Sequence, residues 1–169
     1  MINKFYQKAC PQCLKPSFYR RGITALEVLL VMAVLGILVS IMLPQFSKIK
    51  ENQVLKNTIG ETTSALHDAQ SKTLASVDSS SYGVHFQSDK IIIFKGTVFS
   101  VDDPNNKTIN IISPANISNV TVNGVSGASG DVYFNRLSGT PNKTGTITVS
   151  ISSLSKIITI SATGAVSVN

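Results

Sequence analysis

"RRGITALEVLLVMAVLGILVSIMLP", residues 20–44, decides the architecture of this chain, because residues 23–43 carry a single charge, Glu27, in twenty-one positions. As a helix those residues extend about 31 Å, close to the ~30 Å hydrocarbon thickness of a bilayer. Helices of soluble cores are seldom apolar on every face, so the run is expected in a membrane. A cleaved secretory signal would have a shorter core and a small-residue cleavage site, and "VSIMLPQFSK" at 39–48 offers none. An acid at the centre of such a span costs ~2.5–3.5 kcal/mol, less near the interface, and intramembrane acids usually serve a partner. Nothing basic lies inside the run, so the partner of Glu27 must be the chain's own terminus, another chain or interfacial solvent.

Outward from the run, the charge is lopsided. The 169-residue chain has a net charge of +6. Lys4, Lys8, Lys15, Arg20 and Arg21 supply +5 of it before residue 23, with no acid among them. Basic residues ahead of an apolar span are an orientation signal, which keeps the N-terminus cytoplasmic and translocates the residues beyond the span. The remainder is nearly neutral, so a nucleic-acid surface is not supported. Cys10 and Cys13 form a CxxC pair in the basic leader, but no further zinc ligand lies near them.

With its surroundings, the opening stretch resembles the processing site and N-terminal helix of type IV prepilins and type II secretion pseudopilins. That resemblance implies a leader, residues 1–22, cut after Gly22 by a prepilin peptidase. It also implies N-methylation of the new terminus at Ile23, with Glu27 as fifth residue of the mature chain. Ile23 and Ala25 stand where the family most often has Phe and Leu. Gly36 and Pro44 fall where many pilins carry a helix-softening glycine and a helix-kinking proline. The implied partners are the peptidase, other pilin or pseudopilin subunits, an inner-membrane assembly platform, and membrane lipid before assembly. In a filament, Glu27 would pair with the terminal amine of the preceding subunit.

Beyond Pro44 the helix is expected to continue through residues 45–77. Leu55, Ile59, Thr62, Leu66, Ala69 and Thr73 recur at three- and four-residue steps and form one stripe. His67 reads as a surface or partly packed histidine on that helix. "DSSSYG" at 78–83 is a breaker, and residues 78–169 read as a β-rich domain. Tyr82, Val84 and Phe86 alternate, with His85 on the other face. "KIIIFKG", "TVFSV", "TINII", "NVTV" and "DVYFNRL" are strand candidates, and "DDPNN" at 102–106 is a turn. "TITVSIS" alternates most cleanly, with Ile147, Val149 and Ile151 inward, and "KIITIS" with "AVSV" suggests a terminal hairpin. A helix followed by strands predicts an α+β fold: a long N-terminal helix packed on a mostly antiparallel sheet. "SYGVHF", "VYFNRLSGTPNKTGTITVS" and "KIITISATGAVSV" are similar to the GspH/FimT-type minor pilins. Arginines near the C-terminus of some members are tied to DNA binding, but this chain has no base after Lys156.

No catalytic order, phosphate loop or metal-spaced histidine cluster appears, so neither an enzyme, a cofactor nor a metal is expected. Asp102, Asp103, Asn105 and Asn106 lack the regular spacing of a calcium loop, and Pro104 suits a plain turn. The sequons at Asn106, Asn116, Asn119 and Asn142 read as polar strand and turn residues. Arg136 and Lys143 read as solvated loop charges. The expected function is a pilin-like structural subunit, as a minor component, anchored in the inner membrane and then incorporated into an extracellular or periplasmic filament. A membrane-anchored binding or adhesin domain that never polymerises is the alternative.

Overall fold

The computed structural model describes residues 22–152 and 154–169. The leader assigned to residues 1–22, with Cys10 and Cys13, lies outside the described residues except for Gly22. The chain divides into two compact units, one ending at Met42 and the other running from Leu43 to Asn169. The expected helical segment at 45–77 and β-rich segment at 78–169 both fall in the second unit. They share one core.

One helix, α1, spans Ala25–Leu74. It passes through Gly36 and Pro44 without losing its helical assignment. Proline has no N–H, so the Ser40 carbonyl goes without its usual helical donor, while the Ser40 hydroxyl donates to the Gly36 carbonyl at 2.8 Å. The helix ends three residues before the expected boundary. Ser76 adopts a left-handed conformation and a short 3-10 turn comes next at Val77–Ser79.

In the second unit, α1 buries Leu55, Thr58, Thr62, Ala65, Leu66, Ala69 and Thr73. These positions follow the helical period, and Ile59 packs at their margin. Three of them are threonines, which in a buried helix face must satisfy their hydroxyls. Each donates to the carbonyl four residues back: Thr58 to Val54 at 3.0 Å, Thr62 to Thr58 at 2.7 Å and Thr73 to Ala69 at 2.8 Å. His67 is exposed, as expected.

Among the described residues, nine strands complete the second unit: β1 (Tyr82–Phe86), β2 (Lys90–Lys95), β3 (Lys107–Asn110), β4 (Asn116–Val122), β5 (Val125–Gly127), β6 (Gly130–Tyr133), β7 (Gly145–Ile151), β8 (Leu154–Ile160) and β9 (Val166–Val168). They form two antiparallel sheets, β3-β2-β1-β6 and β5-β4-β7-β8-β9. The α+β expectation holds, with two sheets in place of one. Tyr82, Val84, Phe86, Ile91 and Ile93 from the first sheet join Ile117, Val120, Ile147, Val149, Ile151, Ile158 and Ile160 from the second. These side chains and the α1 stripe form a single apolar cluster.

The central strands β1 and β2 of the first sheet are buried on both faces, which explains why β2 reads as a continuous apolar run. Ile92 and Phe94 point away from the helix. The segment "TVFSV" at 97–101, expected as a strand, is instead part of a loop. Phe99 stacks on His85 with ring centroids 3.9 Å apart and meets Phe94 edge-on at 5.6 Å. Its aromatic side chain is used for a loop-to-sheet contact, so β-propensity there has a different destination. Gly83 lies beneath the Phe94 ring, and a Cβ there would come within 2.4 Å of it. "DVYFNRL" also ends early as a strand, because Leu137 turns with φ +65° after an isolated bridge between Phe134 and Pro141.

The junction between α1 and β1 rests on three polar contacts, one at Thr73 and two at Asp78. The buried Thr73 hydroxyl accepts the Tyr82 N–H at 2.9 Å. Asp78 accepts from Lys95 at 3.1 Å and from the Tyr82 hydroxyl at 3.3 Å. The Lys95 hydrogen bond, with its charge and the Tyr82 hydrogen bond, holds the Asp78 carboxyl below the usual carboxylate range.

Thr73→Val should cost about 1–3 kcal/mol, because it strands a buried N–H. Thr63→Val should be neutral or stabilising, since the buried Thr63 hydroxyl has no partner among the described residues. Urea titration of the full chain in detergent checks both, and equal effects would contradict the assignment. Asp78 is depressed in the folded state, so its contribution is present above the unfolded carboxylate range and lost as pH falls through the folded value. The difference in urea midpoint between wild type and Asp78→Asn should therefore shrink on acidification from pH 7 to pH 3.

Candidate functional site

Gly22, Ile23 and Thr24 precede α1 in irregular, exposed backbone. The Gly22–Ile23 bond thus lies outside the helix. Among the described residues, nothing beyond its chain neighbours lies within 4 Å of where a Gly22 Cβ would sit.

Thr24 starts the helix. Its Oγ1 accepts the Glu27 N–H at 3.2 Å, and its carbonyl accepts the Val28 N–H at 3.2 Å. Thr24 and Glu27 thus occupy the first and last positions of a T-x-x-E capping pattern. The pattern is present in the sequence, but the charge of Glu27 inside an apolar run is the louder signal there. The acid lies in the first turn of α1. At that position the unpaired N–H groups and helix dipole favour a carboxylate by ~0.3–1 kcal/mol.

Glu27 is exposed, and every described side chain of residues 25–43 is exposed as well. Ile23, Glu27, Val28, Val31, Met32 and Leu35 line a shallow groove of about 240 Å³ along one face. Glu27 is the charged residue among them. The arrangement offers one negative charge, one turn from Ile23, on an otherwise apolar stripe. It can receive a compact cation carried on an apolar chain. By length and composition, α1 is able to cross a membrane, with mean hydropathy 2.8 in its most apolar window and none of that window buried.

Two other constellations lie in the second unit. The His85 Nδ1 pairs with the Asp131 carboxylate, joining neighbouring strands β1 and β6, while its buried Nε2 has no partner among the described residues. No serine or threonine hydroxyl bonds to this histidine among the described residues, and Phe99 covers its ring. The His85–Asp131 contact ties two strands, and the Phe99 stack fastens a loop to them. A cleft of about 490 Å³ opens beside it, lined by Val120, Val122, Val125, Ser126, Asp131 and Lys143 among others. Arg136 is exposed in its turn.

The "DDPNN" segment folds as a turn. Asp103 accepts both the backbone and side-chain N–H of Asn105, at 2.9 and 2.8 Å. These bonds hold its carboxyl below the usual range, the backbone one contributing most. No group of three or more His, Cys, Asp or Glu gathers among the described residues. The sequon asparagines serve their neighbours: Asn142 accepts the Tyr133 N–H at 2.9 Å and Asn116 accepts the Ser150 hydroxyl at 2.7 Å.

Compared with models of known protein families, with curated proteins and with solved structures, the chain matches none.

Proposed function

We propose that this chain is a pilin-like structural subunit: a membrane-inserted precursor, cut after Gly22 and built into a helical filament through α1. The observation that carries the reading is the charge of Glu27 in the first turn of a helix whose next sixteen side chains are uncharged and exposed. Cutting at the adjacent irregular backbone creates an ammonium group at Ile23, and methylation preserves its charge. Before assembly the carboxylate sits near the bilayer edge, eased by the helix terminus. In the filament it pairs with the Ile23 amine of the preceding subunit. The pair neutralises both charges where water is excluded and sets the axial register of each new subunit. The β-rich unit faces outward. This chain is neither an enzyme nor a nucleic-acid binder in this reading, and a minor position in the filament follows from the similarity of its β-rich segments to minor pilins.

The magnitudes favour a pair over a tolerated lone acid. Removing one partner of a buried ion pair costs ~3–5 kcal/mol, because the other is left uncompensated. The helix-terminus effect on its own is several-fold smaller. Glu27→Ala and Glu27→Gln should each reduce incorporation into filaments more than tenfold, with membrane insertion intact in fractionation. Unaltered incorporation of both variants would contradict the charge pair and favour an anchored domain that does not polymerise.

A further inference from the structure

The base of the β-rich unit has features that a globular surface does not need. Immediately after the apolar run, Phe46 and Ile49 of α1 are 60% and 63% exposed. Lys48 and Lys50 alternate with them and are exposed too. The β7–β8 hairpin comes down to this level, where the Ser152 hydroxyl donates to Glu51 at 3.4 Å. Leu154, at the start of β8, is 37% exposed, and Lys156 is exposed two residues on. Lys48, Glu51, Asn52 and Leu154 enclose a notch of about 300 Å³.

We infer that this base is a lipid-contact surface: Leu154, Phe46 and Ile49 enter the interface of the bilayer that holds the span, and Lys48, Lys50 and Lys156 hold anionic phospholipid phosphates. The inference rests on the reading of residues 23–43 as membrane-inserted. Lys48 and Lys50 follow Leu43 by five and seven residues, about 7–10 Å of helix. The headgroup layer on one side is roughly 5–8 Å thick, and lysine stems are long enough to reach back into it. Three bases against the one acid, Glu51, complement an anionic headgroup. Apolar side chains interleaved with bases suit an interface that is part hydrocarbon and part phosphate. The contact would keep the hairpin seated on the bilayer before assembly, and extraction into a filament would have to break it.

The far end of the sheet provides a comparison. Gly145 at the other end of β7 pairs with Val122, and the exposed Val125 follows in the β4–β5 hairpin. Six residues of β7 separate that end from Ile151, about 20 Å. The chain has no tryptophan, so single substitutions are unambiguous probes. The full chain is reconstituted in vesicles of mixed phosphatidylglycerol and phosphatidylcholine whose acyl chains are brominated both near the headgroup and near the chain end. Leu35→Trp reports the span, Leu154→Trp the base and Val125→Trp the far end.

Leu35→Trp and Leu154→Trp should be quenched, and Val125→Trp should not. Replacing Lys48, Lys50 and Lys156 by Gln in the Leu154→Trp chain should weaken the contact about fivefold per lysine, as should pure phosphatidylcholine or high salt. If Leu35→Trp is quenched and Leu154→Trp is not, the contact is wrong while the membrane reading stands. If neither is quenched, both fail. Quenching of Leu154→Trp that ignores lipid charge and the three lysines overturns the anionic surface. A spectral shift that follows protein-to-lipid ratio without quenching assigns the face to a second copy.

Discussion

The fold depends on one helix being solvated differently along its length. Up to Leu43 the described side chains of α1 are exposed and, Glu27 and Ser40 apart, apolar all round. From Leu55 to Thr73, the same helix supplies one buried stripe to both sheets. That stripe is rich in Thr and Ala. The threonines return their hydroxyls to the helix backbone instead of leaving them unpaired in the core. The sheets gain a shared floor from it. Neither sheet has a second helix to cover it among the described residues, so the first is closed on its other face by Phe99 and its loop.

Glu27 then has two roles that reinforce each other. As the third helical residue it belongs to the capping pattern begun by Thr24, and the helix terminus favours its charge. The same position leaves its carboxylate on the apolar groove beside Ile23. An acid deeper in the run would cost more in lipid, and one before the helix would lie off the groove. Local helix chemistry and the proposed assembly contact therefore ask for the same residue at the same place.

Much of this is legible in the sequence, for physical reasons that differ by element. The helical stripe and the strands around Ile147, Val149 and Ile151 announce themselves by period, because one face of each is buried and the other is wet. Thr58 and Ala65 do not stand out as core, since neither residue type carries a strong burial signal. The β5 strand is three residues long and comes after a two-residue turn, too short to show alternation. "TVFSV" has the composition of a strand because loops pinned by tertiary stacking use the same aromatic and β-branched residues. Of the candidate site, the charge and the cleavage context of Gly22, Ile23 and Glu27 are visible from residue types. The cap at Thr24 is visible too but is overshadowed by the charge three residues on. The notch at Lys48, Glu51 and Leu154 depends on a hairpin that meets α1 from 101 residues away. No sequence pattern links those positions.

In the proposed filament, the partner of Glu27 is an amine absent from the precursor and released by processing. Mass spectrometry of the chain purified from its own membrane or filament tests this most directly. The mature chain should begin at a methylated Ile23, with residues 1–22 gone. An intact leader, or a first residue other than Ile23, would contradict the charge pair at its root.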